Sequence, residues 1–375
     1  MSSSLHLAAV NWRDRRSPEA GGAETHLHEI LVRMAARGHR VTLFASRFPG
    51  STQFDAYDGI DVVRYGSWYN ANFMLPQALR AYLQRERVDL ILEDINKIPF
   101  LLPWYTDVPI MPIIPHLFGA TVFRETNPVF GAYVYLWERL IPRVYRNNRF
   151  AVISPSTRDD LVARGISRDS VDVVLCGLDH ATYRVLPGSE RSHRPTIIHF
   201  GRLRKYKGVD IVLLAFAKIR ETLPDARLVI VGDGPGLPAL RHLAGRLHLG
   251  DSVDFTGHLP TAELVASLNR VHLFLNASPK EGWGLTVVEA NACGVPVVAS
   301  DRPGLRDSVL HERTGYLVPY GDVGAFARRA VEILGNPDLW RRFSAAGMEW
   351  ARSLTWDRCA DEMEKLFVRE AGSIG

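Results

Sequence analysis

The segment SPKEGWGLTVVEANACGVPVVAS, residues 278 to 300, constrains this chain most. A glycine-broken turn enters a short amphipathic helix, which leaves through Gly294 and Pro296 into an apolar strand. That order of elements belongs near the carboxyl edge of a parallel sheet. Two carboxylates bracket the helix start, Glu281 in the turn and Glu289 on the helix. They need not share a face, yet both can border a ligand at the helix N-terminus, where unpaired N–H groups favour anions.

At 375 residues the chain exceeds the size at which one core stops growing, so two domains are expected. Hydrophobic residues at 46% and charged residues at 23% describe an ordinary globular protein. Lys plus Arg outnumber Asp plus Glu by 45 to 41, a formal charge of +4 that is too mild to indicate a nucleic-acid partner. Cys176, Cys293 and Cys359 form no CxxC and no pairing with His, which argues against structural zinc or a disulfide scaffold and favours a reduced, cytoplasmic setting. The start, MSSSLHLAAVNWRDRR, has neither a basic region ahead of its apolar run nor a cleavage site, and no run approaches the roughly 18 apolar residues of a membrane span. A protein neither secreted nor integral to a membrane is expected.

In chain order, residues 5 to 11 read as a buried strand and 23 to 37 as a helix ended by Gly38, with a polar loop closing on Gly21 and Gly22 between them. Strand, glycine turn and helix let backbone N–H groups approach a phosphate, although the spacing is not GxGxxG and an ordinary loop closure competes equally. Strands over 39 to 46, 59 to 66 and 88 to 93, with a helix over 72 to 86, continue a parallel sheet covered by helices. The run VPIMPIIPHLFG, 108 to 119, delivers His116 and Gly119 where such a sheet places its ligand loops. Its three prolines limit the strand to the last few residues, and a His at a strand end is more often an ordinary polar loop residue.

Residues 127 to 149 combine aromatic side chains with Arg139, Arg143, Arg146 and Arg149 against one acid, Glu138, and Pro142 kinks or ends the helix there. The bland reading is a solvated basic face; the sharper one is attachment to an anionic bilayer or docking of an anionic acceptor. A strand at 150 to 154, a capped helix and a strand ending near Gly177 follow. The proline-, glycine- and serine-rich run at 186 to 194 then reads as the linker. The expected domains are 1–187, 188–354 and a helical tail, 355–375, packing back toward the first domain.

The second half repeats strand, glycine loop and helix twice. Arg202, Lys205 and Lys207 stand between Gly201 and Gly208, a fork of donors and compact cations able to clamp a diphosphate. A solvated loop is the alternative; the glycine-rich loop Gly232 to Gly236 ahead of another helix favours phosphate. Neither loop is GxxxxGK[ST], which disfavours an ATPase or GTPase. The fold class is α/β, two Rossmann-like domains facing across a cleft.

The set GGAET, PHLFG, HFGRLRKYKGVD, VGDGPG, FTGHLP and EGWGLTVVE resembles the retaining glycosyltransferases of family 4, of GT-B fold, over nearly the whole chain. That resemblance implies transfer of a sugar from a nucleotide diphosphate sugar, UDP-, GDP-, ADP- or dTDP-linked, with no required metal or other cofactor. It implies that Gly22 lies near the donor diphosphate, that His116 contacts the transferred sugar, and that Arg202 and Lys207, beside Gly201, bind the diphosphate. Glu281 would orient the sugar and Glu289 would hold the ribose. Gly257, His258 and Leu259 would frame the nucleobase, while Gly284, Leu285 and Thr286 would offer backbone N–H groups. Three departures stand out: Trp283 replaces a usual phenylalanine and should keep an aromatic wall, Tyr206 stands where an acid is frequent, and Pro303-Gly304 replaces a glycine pair.

The mechanism implied is front-face transfer. Arg202 and Lys207 stabilise charge on the departing nucleotide, whose phosphate oxygen takes the acceptor proton on the same face. The acceptor is a small molecule, a saccharide or a lipid-linked saccharide, and the location cytoplasmic, with or without peripheral contact at the inner membrane face. A nucleotide-sugar hydrolase or epimerase of the same fold and a non-catalytic nucleotide-sugar-binding protein are the competing readings.

Overall fold

The computed structural model describes residues 4–124 and 126–372, which fold as two compact α/β units. One unit comprises the chain up to Gly177 together with the residues from Trp356; the other is Leu178–Thr355. In the first unit β1 (His6–Val10) leads through α1 (Gly22–Ala36) to β2 (Arg40–Ala45), and a hairpin of β3 (Phe54–Tyr57) and β4 (Ile60–Arg64) follows. Then come α2 (Ala71–Leu83), β5 (Leu90–Asp94), β6 (Ile110–Ile114), α3 (Pro128–Glu138), α4 (Ile141–Val144), β7 (Phe150–Val152), α5 (Pro155–Ala163) and β8 (Val171–Val173). The sheet order is β3-β4-β2-β1-β5-β6-β7-β8, parallel except for the β3–β4 pair.

Strands β1, β5 and β6 are buried along their whole length, because helices cover both faces of a parallel sheet and each residue of a central strand meets a core. Strand β6 departs from the expectation that prolines would confine it to the end of its run: it is centred on Pro112 and paired on both sides. The register explains the tolerance. The carbonyls of Pro109 and Ile113 accept from Ile91 of β5 and from Ile95 just beyond it, so Pro112 turns its donor-less nitrogen toward β7, whose pairing begins only at Ile113.

The second unit contains β9 (Thr196–Phe200), α6 (Val209–Thr222), β10 (Arg227–Val231), α7 (Leu237–Arg246), β11 (Val253–Gly257), α8 (Thr261–Arg270) and β12 (Leu273–Asn276). It continues with α9 (Leu285–Ala292), β13 (Val297–Ser300), α10 (Leu305–Ser308), β14 (Gly315–Val318), α11 (Val323–Gly335) and α12 (Pro337–Arg352). All six strands are parallel in the order β11-β10-β9-β12-β13-β14. In order of appearance that is 3-2-1-4-5-6, the doubly wound arrangement whose ligand crevice opens at the carboxyl ends of the two strands where the winding reverses, here β9 and β12.

The division falls at Gly177 rather than within residues 186 to 194. The proline- and glycine-rich run is not a free linker, because it is fastened to the second unit. Leu186 N–H donates to Asn269 at 2.9 Å, and the Arg191 guanidinium donates to the carbonyls of Leu268, Val271, Cys293 and Gly294 at 2.7–3.2 Å. After Thr355 the chain returns to the first unit as α13 (Trp356–Ala371). This helix buries Cys359, Met363, Leu366 and Phe367, and its acids meet α1: Asp357 with Arg33, and Asp361 and Glu364 with Arg37.

Candidate active site

In the second unit every parallel strand delivers its following loop to the same edge, so sequence-distant loops converge there. The loop after β9 carries Gly201, Arg202 and Lys207; the loop after β12 carries Glu281 and Gly284. These two strands are the pair at which the winding reverses, and their loops meet side chain to side chain. The Lys207 ammonium donates to Glu281 Oε1 at 2.6 Å, with 19% and 17% of the two side chains exposed. Lys207 also lies 5.4 Å from the centre of the Tyr206 ring. Arg202 is exposed and has no acidic partner among the described residues. Beneath the loop, His199 donates from Nδ1 to the Leu275 carbonyl at 2.9 Å, and burial holds its ring pKa down to about 4, so it brings no positive charge under the pair.

The glycines set this geometry by close backbone approach. A Cβ at Gly208, which has φ +66° and stands at the N-cap of α6, would sit 2.2 Å from the Ala277 carbonyl oxygen, so the lysine loop can lie against the strand that leads to Glu281 only without a side chain there. Gly304, at φ +82°, does the same for the other partner: a Cβ would stand 2.3 Å from the Glu281 carbonyl oxygen. Pro303 in turn accepts the Glu281 N–H at 3.1 Å, so the departure at Pro303-Gly304 is part of the turn that holds the carboxylate.

Helix α9 opens from Gly284, at φ +87°, with Leu285 and Thr286 in its first turn, where backbone N–H groups lack intrahelical acceptors. Glu289, one turn on, keeps a small accessible face, and the surrounding protein pushes its carboxyl up to about 7 through desolvation, opposed by a hydrogen bond with Tyr183. The sequence reading missed Tyr183; it lies three residues ahead of the run taken for a linker, where nothing local marks it as a partner. Gly257, at φ +73°, ends β11, its carbonyl accepts from Gly232 N–H at 2.7 Å, and His258 beyond it is exposed while Leu259 packs on the core. Trp283 does not form an aromatic wall. It is 2% exposed and points inward, 6.4 Å from the Trp350 ring, because the αL turn at Gly284 sends the preceding side chain into the unit.

In the first unit Gly22 is the first residue of α1, and Glu24 folds back to accept the Gly21 N–H at 2.7 Å. His116 lies in the loop after β6, edge-on to Phe118 at 4.8 Å. That loop is held by Glu138, fully buried at the end of α3, whose carboxylate accepts Phe118 N–H at 2.6 Å and Gly119 N–H at 2.8 Å, with Arg164 at 3.4 Å. Glu138 was legible only as the single acid of a basic stretch, and its role here is to fix the His116 loop. Arg149 leaves the basic set for the opposite reason. It pairs with Asp172 at 2.8 Å and approaches Glu370 at 3.9 Å, whereas Arg139, Arg143 and Arg146 remain exposed.

Among the described residues no group of three or more His, Cys, Asp or Glu side chains could hold a metal ion, and no helix is long and apolar enough to cross a membrane. The three cysteines are buried and unbridged.

Two family models account for most of the chain: "Glycosyltransferase Family 4" matches residues 20–182 and "Glycosyl transferases group 1" residues 187–350. A GDP-mannose-dependent alpha-(1-6)-phosphatidylinositol monomannoside mannosyltransferase of Mycobacterium tuberculosis is 29% identical over 377 residues, covering 92% of this chain and 94% of that one. An N-acetyl-alpha-D-glucosaminyl L-malate synthase of Bacillus anthracis is 39% identical over 154 residues, 41% of this chain and 39% of that one. Among solved structures, a sucrose-phosphate synthase from Thermosynechococcus elongatus superposes with a TM-score of 0.82 at 21% identity, covering 97% and 98% of the two chains. Anabaena HepE in complex with UDP-glucose gives 0.75 at 18% identity, covering 96% and 99%.

Proposed function

Because this chain belongs to the glycosyltransferases of GT-B fold, we propose that it moves a hexose from a nucleoside diphosphate sugar to an acceptor hydroxyl with retention of anomeric configuration. The observation that carries this reading is the Lys207–Glu281 pair, a cation and a carboxylate delivered by the loops after β9 and β12. A strand edge of that kind receives a nucleotide, and two roles are separable within it. Lys207 and Arg202 take the diphosphate, and Glu281, released from Lys207 as the phosphates arrive, accepts hydrogen bonds from sugar hydroxyls.

As the bond between anomeric carbon and phosphate oxygen breaks, its electron pair stays on the nucleotide. Lys207, Arg202 and the N–H groups of Gly284, Leu285 and Thr286 stabilise that charge. The acceptor oxygen then bonds to the anomeric carbon from the same face, and its proton passes to the departing phosphate oxygen. No carboxylate nucleophile is needed. Glu289 anchors the ribose, Gly257 to Leu259 frame the base, and Gly201 lets the phosphate loop approach. In the first unit Gly22, at the start of α1, and His116, in the loop after β6, stand at the carboxyl ends of parallel strands, where that sheet presents its own ligand loops. With two cations facing the diphosphate, transfer is expected to persist in chelator.

The testing experiment offers a panel of nucleotide sugars to the protein, GDP-mannose first because full-length relatives carry that donor in their names. Mass spectrometry then follows binding and nucleotide release with and without acceptors. One donor should bind and release nucleotide faster when a hydroxyl acceptor is present. Acceptor-independent release would make the chain a hydrolase, and binding without turnover of any donor a sensor.

A further inference from the structure

An apolar surface of the first unit lies outside the chemistry described so far. Trp68 and Tyr69, just ahead of α2, are 62% and 69% exposed, and Phe73 in the first turn of that helix is 49% exposed. On α3, Val129 is 82% exposed, with Phe130 and Leu136 also open to solvent. The two helices form one continuous face. Asn72 donates to the Tyr133 hydroxyl at 2.5 Å, and the Phe73 ring stands 6.5 Å from Trp137, which is 5.0 Å from Tyr133, itself 6.2 Å from Phe130. A surface helix of a soluble protein normally turns a charged face to water. Helix α3 has no charged residue before Glu138, which is wholly buried.

The charge around this face has one sign. Residues 62–85 and 127–149 contain no acid except Glu138, whereas Arg139, Arg143 and Arg146 are exposed immediately after α3. Trp and Tyr rings prefer the boundary between acyl chains and water, and a cluster of arginines there finds anionic headgroups. A second copy of the chain suits the face poorly, because a two-fold contact would set these arginines against themselves with no acid to answer them.

We infer that the α2–α3 face is a docking surface for an anionic lipid bilayer, with Trp68, Tyr69, Phe73, Val129 and Phe130 entering the interface and Arg139, Arg143 and Arg146 pairing with headgroups. Arg149 takes no part, being held by Asp172. This site is independent of the donor chemistry, so either can fail without the other.

The test is flotation of the intact protein with phosphatidylcholine vesicles, with and without phosphatidylglycerol, at low and high salt. Partition should be about tenfold stronger on the anionic vesicles at low salt and decline with salt. Trp68→Ser with Tyr69→Ser and Phe73→Ser should lower it about tenfold, and Arg139→Gln with Arg143→Gln and Arg146→Gln should abolish the preference for phosphatidylglycerol, each with unchanged melting and unchanged nucleotide-sugar binding. Brominated acyl chains should quench tryptophan fluorescence of the bound wild type, a readout that needs no variant. The inference is overturned by absence of retention on anionic vesicles at low salt, by unquenched fluorescence in the bound protein, or by variants that partition like wild type. It is equally overturned if the aromatic substitutions abolish a concentration-dependent dimer instead.

Discussion

The Lys207–Glu281 pair neutralises itself at 2.6 Å, so a diphosphate taken by Lys207 as proposed would compete with a carboxylate for the ammonium. Glu281→Gln should therefore raise affinity for the free nucleoside diphosphate severalfold, about 1 kcal/mol for a partly exposed pair, while lowering the rate of sugar transfer. Calorimetry and turnover, measured on one preparation, would separate these opposite effects, and weaker diphosphate binding in the variant would show that Glu281 does not restrain the lysine. Glu289 makes a pH prediction. Its carboxyl is raised from 4.5 to about 7 by burial, so the folded state holds this proton more tightly than the unfolded chain. The associated stability is complete below about 4.5 and is lost as pH rises through about 7. Hydroxyl donors of a ribose favour the carboxylate, so donor binding near pH 6.5 (roughly the middle of the physiological titration range) should release protons, detectable as a dependence of binding enthalpy on buffer. In Glu289→Gln that release should vanish. Glu281 and the basic loop were legible in the sequence because each sits at a glycine turn, and Glu289 because it lies on the helix that such a turn opens. Tyr183 was not, since it reaches Glu289 across more than a hundred residues. Trp283 was misjudged because a motif gives a residue's neighbours in sequence and not the side to which an αL turn sends it.

At the scale of loops and helices, the site depends on backbone approaches that only glycine permits. Gly208→Ala would add a Cβ 2.2 Å from the Ala277 oxygen at a left-handed φ, and should cost about 1–3 kcal/mol together with most of the diphosphate affinity. Glycine at 201 has no such neighbour within 4 Å, so its alanine variant should retain more diphosphate affinity, bearing only the backbone strain of φ +137°. The His116 loop depends on a carboxylate. Glu138→Ala would strip acceptors from two partly buried N–H groups and leave Arg164 with Asp160 alone, a loss of about 1–3 kcal/mol visible in thermal unfolding. Most elements were readable from alternating apolar runs and glycine stops. The β3–β4 hairpin was not read, although Asp58 and Gly59, at φ +53° and +76°, are the residues such a turn requires. Strand β6 was shortened in the reading because proline was weighed without knowing which way its nitrogen faced.

At the scale of the whole chain, α13 shows which forces close the first unit. Its ion pairs with α1 are partly or largely exposed, and Arg37→Ala should cost no more than about 1 kcal/mol. Phe367, fully buried, should cost about 3–5 kcal/mol as alanine. Denaturant melts of the two variants would rank packing above charge, and the reverse order would refute that ranking. Two similar sheets could be counted from the repeated strand, glycine loop and helix. The boundary between the units could not, because composition marked the run at 186 to 194 as a linker, whereas the hydrogen bonds of Arg191 bind it to the second unit. Transfer as proposed depends on Lys207 acting on the leaving diphosphate. Its most direct test is the single-turnover rate of nucleoside diphosphate release from the preferred donor in the presence of acceptor, compared between wild type and Lys207→Ala. A fall of about two to three orders of magnitude with an unchanged circular dichroism spectrum is the predicted result, and a rate near that of wild type would contradict the assignment.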